Sequence, residues 1–136
     1  MKVPSHIGLI PDGNRRWARK NNLTIWKGHE EGAKNIENFL KWCKELGIRK
    51  VTIYTLSRDN ILKRNKKEVA AIFRIIYNFL KKLRKKADEE KIRVNFIGDK
   101  SLLPKKLLNL VFKIVKKTSK YSNYVLTLLI GYSSIH

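Results

Sequence analysis

The stretch His6–Lys20, HIGLIPDGNRRWARK, decides the fold because its chemistry changes abruptly at one point. A short apolar run ends in Pro-Asp-Gly-Asn, and the residues from Arg15 onward begin a helical pattern. Gly13 can adopt backbone angles closed to other residues, and Asp12 or Asn14 can cap the helix. The free N–H groups of a helix start, together with two arginines, favour an anion. The stretch therefore predicts a strand-to-helix turn that binds phosphate or diphosphate.

The rest of the chain alternates between two kinds of hydrophobic pattern. Short apolar runs rich in β-branched or aromatic residues predict four strands: Ile7–Ile10, Val51–Leu56, Arg93–Ile97 and Tyr124–Ile130. Helical spacing predicts three helices: Glu30–Leu46 with Gly47 as its C-cap, Lys66 to about Lys91, and Leu103 to about Lys117. This alternation predicts the α/β class, a mostly parallel sheet of about four strands covered by helices.

Polar side chains follow two of the predicted strands. Asp12–Arg16 follow the first strand, and Ser57–Asn60 with Arg64 follow the second. Because ligands of such sheets bind beyond the carboxyl ends of the strands, we expect the two clusters to meet there. Oxygen ligands suit Mg²⁺ and arginines suit phosphate oxygens, so the clusters predict phosphate-ester chemistry. Nothing in the sequence has the spacing of a zinc site or an acyl-transfer triad.

Composition limits the class of protein. The 136 residues suit one domain, 1–136, and the formal charge of +20 calls for an anionic partner such as nucleic acid, an acidic membrane or a phosphorylated substrate. Cys43 is the only cysteine, which fits a reducing compartment. No apolar run approaches the roughly 18 residues that span a bilayer. We expect a cytoplasmic protein, soluble or peripheral to the membrane.

Three segments, in order, resemble the cis-prenyltransferases, the family of undecaprenyl and dehydrodolichyl diphosphate synthases. They are HIGLIPDGNRRWARK, the long segment WKGHEEGAKNIENFLKWCKELGIRKVTIYTLSRDN, and RVNFIGD at Arg93–Asp99. The ending GYSSIH is similar to the archaeal and eukaryotic dolichol branch. The resemblance implies condensation of isopentenyl diphosphate onto an allylic diphosphate, with Mg²⁺ as cofactor and a homodimer or heteromer as assembly. It also implies that the helices near 36–43 and 72–83 line a product tunnel.

The same resemblance implies roles for individual residues. Asp12 matches the aspartate that helps to hold Mg²⁺ and the diphosphate, and Asn60 matches a second catalytic position. The positions implied in substrate binding are Gly13, Asn14, Arg15, Arg16, Trp17, His29, Ser57, Asp59 and Arg64. The second block departs from the family pattern, because Asp59 stands in place of Glu, Ile61 replaces an aromatic residue and Arg64 comes one residue late.

Each of these residues has an ordinary structural explanation as well. Asp12 can be a helix cap, and Ser57 and Asn60 can form a turn after a strand. Arg16 can pair with a surface carboxylate, His29 can be a partly exposed histidine, and Trp17 fits core packing.

Family members continue beyond the segment that this chain matches. The resemblance implies that their later part binds isopentenyl diphosphate and completes the Mg²⁺ site. The run YVLTLLIGY also predicts a strand buried on both faces, close to the last residue. A bare sheet edge and uncovered apolar faces would follow. We therefore expect a truncated domain, which is a fragment of a longer enzyme, the product of a shortened gene, or a chain whose missing half a partner supplies.

The sequence is consistent with three functions. The first is a cis-prenyltransferase, inactive alone if the isopentenyl diphosphate segment is absent, and the second is a noncatalytic or partner-dependent subunit that binds prenyl diphosphates. The third is a basic nucleic-acid-binding domain, motivated by ten Lys or Arg against one Glu from Ile61 to Lys86. No nucleic-acid signature accompanies this charge, so we expect contact with an anionic membrane and no nucleic acid.

Overall fold

The computed structural model describes residues 6–9, 38 and 40–133. The strands are β1 (His6–Leu9), β2 (Lys50–Tyr54), β3 (Ile92–Ile97) and β4 (Tyr124–Leu129). The helices that follow β2 are α1 (Arg58–Lys63), α2 (Lys66–Glu89) and α3 (Lys105–Thr118), with a 3₁₀ turn at Lys100–Leu102. Residues 40–45 are also helical. Within the described residues, no helix combines the length and apolar character that a membrane crossing requires.

The described strands form one parallel sheet in the order β1-β2-β4-β3. The register aligns Leu9 with Ile53, Ile53 with Leu128, and Leu128 with Phe96. All four strands therefore begin at one edge of the sheet, which we call the amino edge, and end at the opposite carboxyl edge. The predicted α/β class and parallel sheet are confirmed.

The last strand of the chain lies inside the sheet. β4 pairs with β2 on one side and with β3 on the other, so it is a central strand of the described sheet. Leu126 and Leu128 are buried on one face, whereas Val125 and Leu129 on the other face are half-buried. The prediction of burial on both faces is thus only partly correct, and β4 is not a bare edge strand.

Helices α2 and α3 pack against each other and against β3, and they build most of the core. The buried apolar residues of α2 have helical spacing: Val69, Ile72, Phe73, Ile76, Phe79, Leu80, Leu83 and Ala87. The fully buried Thr118 closes α3 against the sheet, because its hydroxyl donates to Ile114 O at 2.8 Å and accepts from Val94 N at 2.9 Å. The two basic helices of the sequence are thus amphipathic core helices whose lysines lie mainly outside.

Two predicted helix ends agree with the structure. Gly47, at φ 77°, ends the helix that includes residues 40–45. Ile48 N donates to Cys43 O at 2.9 Å and Gly47 N donates to Lys44 O at 3.0 Å, which is the Schellman arrangement. Lys91, at φ 57°, follows the end of α2 in the same left-handed conformation.

One segment was predicted incorrectly. No helix was predicted between the second strand and Lys66, where Ser57 and Asn60 were expected at most to form a turn, whereas the structure forms helix α1 at Arg58–Lys63. Asn60 N donates to Ser57 Oγ at 3.1 Å, so the Ser57 side chain caps this helix. The cap, and not a turn, is the local function of this serine.

Candidate functional site

The carboxyl edge of the sheet brings together three chain segments that are distant in sequence. Arg58 N donates to Tyr132 O at 2.8 Å and Gly131 N donates to Leu56 O at 2.6 Å, which joins the segments after β2 and β4. Asp99 N donates to Gly131 O at 3.0 Å, which adds the segment after β3. The edge is therefore a continuous backbone network, and Ser57, Arg58, Asp99 and Tyr132 lie along it.

Close backbone packing at this edge requires glycine. A Cβ built on Gly98 would lie 1.8 Å from Ile130 O, so no side chain fits between the ends of β3 and β4. Gly131 has φ 70°, and a Cβ there would lie 3.3 Å from Leu103 Cδ1. These two glycines hold the segments that carry Asp99 and Tyr132 against the end of the sheet.

Asp99 is the most clearly organised acid of the described edge. Its Oδ1 accepts from Ser101 Oγ at 2.6 Å and from Ser101 N at 3.0 Å. These hydrogen bonds, helped by the positive charge of Arg58, hold the pKa of Asp99 below its ordinary value. Asp99 is therefore ionised at neutral pH, and it is coupled electrostatically to Arg58 across the edge.

The structure places the four predicted site residues that it describes on or beside α1. Ser57 is 7% exposed and caps the helix, while Asp59 is exposed in its first turn. Asn60 is half-buried, and its backbone carbonyl oxygen accepts a hydrogen bond from Arg64 N at 3.0 Å. Arg64 Nη1 lies 3.8 Å from Oε1 of the buried Glu68, so its side chain leans toward α2.

The other predicted site residues lie outside the described residues. They are Asp12, Gly13, Asn14, Arg15, Arg16, Trp17 and His29. Strand β1, which precedes them in the sequence, is parallel to β2 and ends at the carboxyl edge with Leu9. Their predicted roles stay predictions.

Two residues of this edge were absent from the predicted site, Asp99 and Tyr132, whereas Arg58 lay within the predicted polar cluster but had no binding role assigned to it. The signal for Asp99 was present in the sequence, because RVNFIGD places an aspartate directly after a predicted strand. The strand-end rule, applied to the third strand as well as the first two, identifies it. The Tyr132 ring contacts the Tyr54 ring edge-on, with centroids 5.5 Å apart, and only the fold brings these two residues together.

The described residues alone do not build a metal centre. Among them, no group of three His, Cys, Asp or Glu side chains is close enough to hold a metal ion. Asp59 and Asp99 nevertheless supply carboxylates at the carboxyl edge, and hard oxygen ligands of this kind suit Mg²⁺. The donor set thus fits Mg²⁺ only if residues such as Asp12 complete it.

The chain is similar to archaeal prenyl diphosphate synthases over nearly all of its length. It is 42% identical over 132 residues to the tritrans,polycis-undecaprenyl-diphosphate synthase (geranylgeranyl-diphosphate specific) of Pyrococcus horikoshii. The aligned region covers 96% of this chain and 50% of that protein. It is 40% identical over 135 residues to the enzyme of the same name from Pyrobaculum aerophilum, covering 97% and 56%. The chain thus spans about half the length of these curated relatives.

A solved structure has the same fold. Lavandulyl diphosphate synthase from Lavandula x intermedia, in complex with dimethylallyl diphosphate, superposes with a TM-score of 0.88 at 31% identity, covering 95% of this chain and 55% of that one. The family described as "Putative undecaprenyl diphosphate synthase" matches residues 10–136. The family match and this solved structure agree with the resemblance, and the Pyrococcus and Pyrobaculum relatives agree with the archaeal-like branch. The chain belongs to the undecaprenyl diphosphate synthase family of prenyltransferases.

Proposed function

We propose that this chain binds an allylic diphosphate at the carboxyl edge and contributes to its cis-condensation with isopentenyl diphosphate. The observation that carries the proposal is the backbone network joining Ser57 and Arg58 to Tyr132 and Asp99. The network holds a cation and polar groups at the carboxyl edge, where β1 also ends. The Asp-Gly-Asn motif follows β1 in the sequence, which supports the proposal that it belongs to the same site.

The chemistry of the proposal needs positive charge at the site and no nucleophilic side chain from the protein. The allylic C–O bond breaks, and its electron pair leaves with the diphosphate. The π-electrons of isopentenyl diphosphate form the new C–C bond, and a proton is then lost to restore a double bond. Arg58, together with the predicted Arg15 and Arg16, would stabilise the charge that develops on the diphosphate.

Mg²⁺ is proposed as the cofactor on the basis of the family resemblance and the oxygen donors. Asp12 would hold it, and Asp59 and Asp99, which lie at the carboxyl edge, are candidates for a further oxygen ligand. Bound there, the ion would offset negative charge on the diphosphate.

The names of the relatives suggest which allylic substrate to test first. Both Pyrococcus horikoshii and Pyrobaculum aerophilum proteins are named as specific for geranylgeranyl diphosphate. We therefore propose geranylgeranyl diphosphate as the preferred allylic substrate, with a polycis-prenyl diphosphate as product. Assembly as a homodimer or heteromer, and contact with the membrane that holds such products, belong to the same proposal.

The test is a paired calorimetric titration of the purified chain in the presence of Mg²⁺. Geranylgeranyl diphosphate is expected to bind, farnesyl diphosphate to bind more weakly, and isopentenyl diphosphate alone to bind least. Inorganic diphosphate serves as the control for simple charge attraction. Equal affinity for inorganic diphosphate and geranylgeranyl diphosphate would contradict a prenyl site.

A turnover assay separates the catalytic function from a binding function. Radiolabelled isopentenyl diphosphate and geranylgeranyl diphosphate are incubated with the chain, and the extracted products are resolved by length. Elongated products are expected when the part that binds isopentenyl diphosphate is also present, on a longer chain or on a partner. Binding of geranylgeranyl diphosphate without any product under that condition would instead identify a noncatalytic subunit.

A further inference from the structure

Helices α2 and α3 lie side by side and in register against the sheet. The Lys106 ammonium lies 4.7 Å from the centre of the Tyr77 ring, and Lys117 Nζ lies 3.6 Å from Asp88 Oδ2. Each contact joins α2 to α3, and on both helices the contacting residues are eleven positions apart. Eleven residues make about three helical turns, so the two helices run parallel and their facing residues form one continuous seam.

Positively charged side chains occupy the middle of this seam. Helical spacing places Lys81 and Arg84 of α2 between Tyr77 and Asp88, and the shared register places Lys113 of α3 opposite Arg84. The Lys81 ammonium also lies 5.6 Å from the centre of the Tyr77 ring. Like charges along one seam repel one another, so an anionic partner bound over the seam would stabilise the arrangement.

The acid at the end of the seam, Asp88, is engaged within the fold. Its carboxylate accepts a hydrogen bond from Tyr121 Oη at 2.8 Å and forms an ion pair with Lys117. The sequence from Lys100 to Lys120 contains seven lysines and no acid. The outward surface of α2 and α3 therefore keeps an excess of positive charge. We call this surface the basic face, and its exposed cations include Arg74, Lys81, Lys85, Lys106, Lys113 and Lys116.

The basic face is separate from the surfaces that the proposed reaction uses. Phe79, Lys82 and Lys86 of α2 turn toward helical residues 40–45. These three positions lie about half a turn around α2 from Tyr77. The basic face is therefore on the opposite flank of α2, outside the space between the two helices that are implied to line the product tunnel.

Two aromatic rings on this surface have lysines over them. Tyr77 is half-buried, with the ammonium groups of Lys81 and Lys106 over its ring. Lys100 Nζ lies 4.9 Å from the centre of the Phe112 ring. Single-stranded nucleic acid gains affinity where free ring faces stack on bases, and these rings already hold ammonium groups. A lysine-rich surface on amphipathic helices instead fits the phosphate plane of an anionic bilayer.

We propose that the basic face docks the chain onto an anionic phospholipid bilayer, with its lysines against the lipid phosphates. The inference deepens the membrane contact proposed above and rests on the proposed function for the choice of a lipid partner. Helix α2 runs from the carboxyl edge, where α1 begins, to the amino edge, where β3 begins. A bilayer along its length covers neither edge, so charged diphosphate substrates still reach the carboxyl edge from water.

The test measures cosedimentation of the purified chain with vesicles of phosphatidylcholine, with and without phosphatidylglycerol. The variant K81Q/K106Q/K113Q removes three lysines of the basic face, and a second variant, R74Q/K85Q/K116Q, removes three other cations of that face and leaves the Tyr77 contacts intact. The matched control R49Q/K50Q/R93Q removes the same charge from three exposed residues outside α2 and α3. Circular dichroism and urea unfolding of all three variants check that the fold is retained.

The wild-type chain is expected to bind vesicles that contain phosphatidylglycerol, and to bind them less tightly at high salt. Each variant of the basic face should bind about 10- to 100-fold more weakly, because every lysine or arginine near an anionic surface contributes to the attraction. The control should change by about threefold or less, since its residues lie away from the lipid. Wild-type binding in both face variants, equal weakening of the control, or no binding by the wild type would overturn the proposal.

A fluorescent label reports which surface meets the lipid. Cys43 is the only cysteine and is buried, so an environment-sensitive dye can be attached to an introduced cysteine. Dye at Asn109→Cys, on the outward side of α3, should shift to the blue when vesicles bind. Dye at Arg93→Cys, an exposed position of β3 that alternates with the buried Val94, should not shift. Equal shifts at the two positions would contradict the proposed orientation.

Two further measurements separate this proposal from its competitors. Single-stranded RNA that binds more tightly than vesicles, and loses affinity in the variants of the basic face, would assign the surface to nucleic acid instead. Without vesicles, both face variants should bind geranylgeranyl diphosphate as tightly as the wild type. If the wild type binds vesicles but not that ligand, the proposed function fails and the docking surface stands.

Discussion

Arg58 donates its backbone N–H to Tyr132 O at 2.8 Å, and this bond joins the segments that follow two neighbouring parallel strands. The adjacent residue Ser57 forms an isolated parallel bridge with Tyr132. The pairing therefore extends the sheet beyond the last residue of β2 and fixes the start of α1. Because the same edge receives Asp99, the relative positions of the described site residues depend on main-chain bonds rather than on flexible side chains.

Substitution of Gly98 tests whether the carboxyl edge depends on close backbone packing. Gly98→Ala should destabilise the chain by about 3 kcal/mol or more, because its Cβ would overlap Ile130 O. Gly47→Ala is the matched control: Gly47 has φ 77° with open space around it, so only left-handed backbone strain of about 1–2 kcal/mol applies. Urea unfolding measures both. Equal losses for the two variants would contradict the packing argument.

Substitution of Ser57 separates its capping role from a role in ligand binding. Ser57→Ala and Asn65→Ala each remove a helix N-cap and should each lower the free energy of unfolding by about 1 kcal/mol. Only Ser57→Ala should also weaken geranylgeranyl diphosphate binding, by about tenfold, since Asn65 has no predicted site role. Denaturant unfolding and calorimetry measure the two effects. A wild-type affinity for geranylgeranyl diphosphate in Ser57→Ala would show that Ser57 acts only as a helix N-cap.

Arg58 is expected to contribute charge to the diphosphate site. Arg58→Ala should lower the affinity for geranylgeranyl diphosphate about tenfold, as expected for loss of a hydrogen bond to a charged group. It should also raise the pKa of Asp99, because the Arg58 charge helps to hold that pKa down. Arg74→Ala, an exposed arginine of α2, is the control for loss of net charge. Equal effects of the two substitutions on affinity would contradict a local role.

The Tyr121–Asp88 contact predicts a specific pH dependence. Tyr121 Oη donates to Asp88 Oδ1 at 2.8 Å, and this bond, with the charges of Lys117 and Lys120, lowers the pKa of Asp88. A lowered carboxyl pKa stabilises the fold above the ordinary Asp pKa, and that stabilisation disappears as the pH falls through the folded-state value. Asp88 in turn raises the pKa of Tyr121, so the tyrosine's contribution is present below the ordinary Tyr pKa and lost as the pH rises through its folded-state value.

Tyr121→Phe should therefore move the pKa of Asp88 up toward its ordinary value, measured by NMR titration of the carboxyl carbon. Tyr77→Phe is the control, because the Tyr77 ring contacts Lys81 and Lys106 instead. An unchanged Asp88 pKa in Tyr121→Phe would show that the lysines alone account for the shift.

The sequence predicted the elements better than their arrangement. Apolar periodicity identified β2, β3, β4, α2 and α3 within one or two residues at each end, because each buries a regular face. Helix α1 was missed because it has only six residues, none of them buried, and so leaves no periodic pattern. Its one local signal was Ser57, a favoured N-cap residue.

The candidate site was only partly predictable for a similar reason. Ser57 and Asn60 follow a strong strand pattern, so the strand-end rule found them. The electrostatic coupling of Arg58 to Asp99 depends on β4 lying between β2 and β3. Local sequence patterns predict individual strands but do not determine their order in the sheet. The contact of Tyr132 with Tyr54 depends on the same order.

The central claim is that the carboxyl edge of the sheet, and not the amino edge, binds the allylic diphosphate. The most direct test is an amide NMR titration of the isotopically labelled chain with geranylgeranyl diphosphate and Mg²⁺. The proposal predicts that the largest diphosphate-dependent shifts occur at residues 57–60, 98–101 and 131–133, with inorganic diphosphate producing a weaker version of the same pattern. Shifts confined to residues 47–50, 89–92 and 119–124 at the amino edge would contradict it.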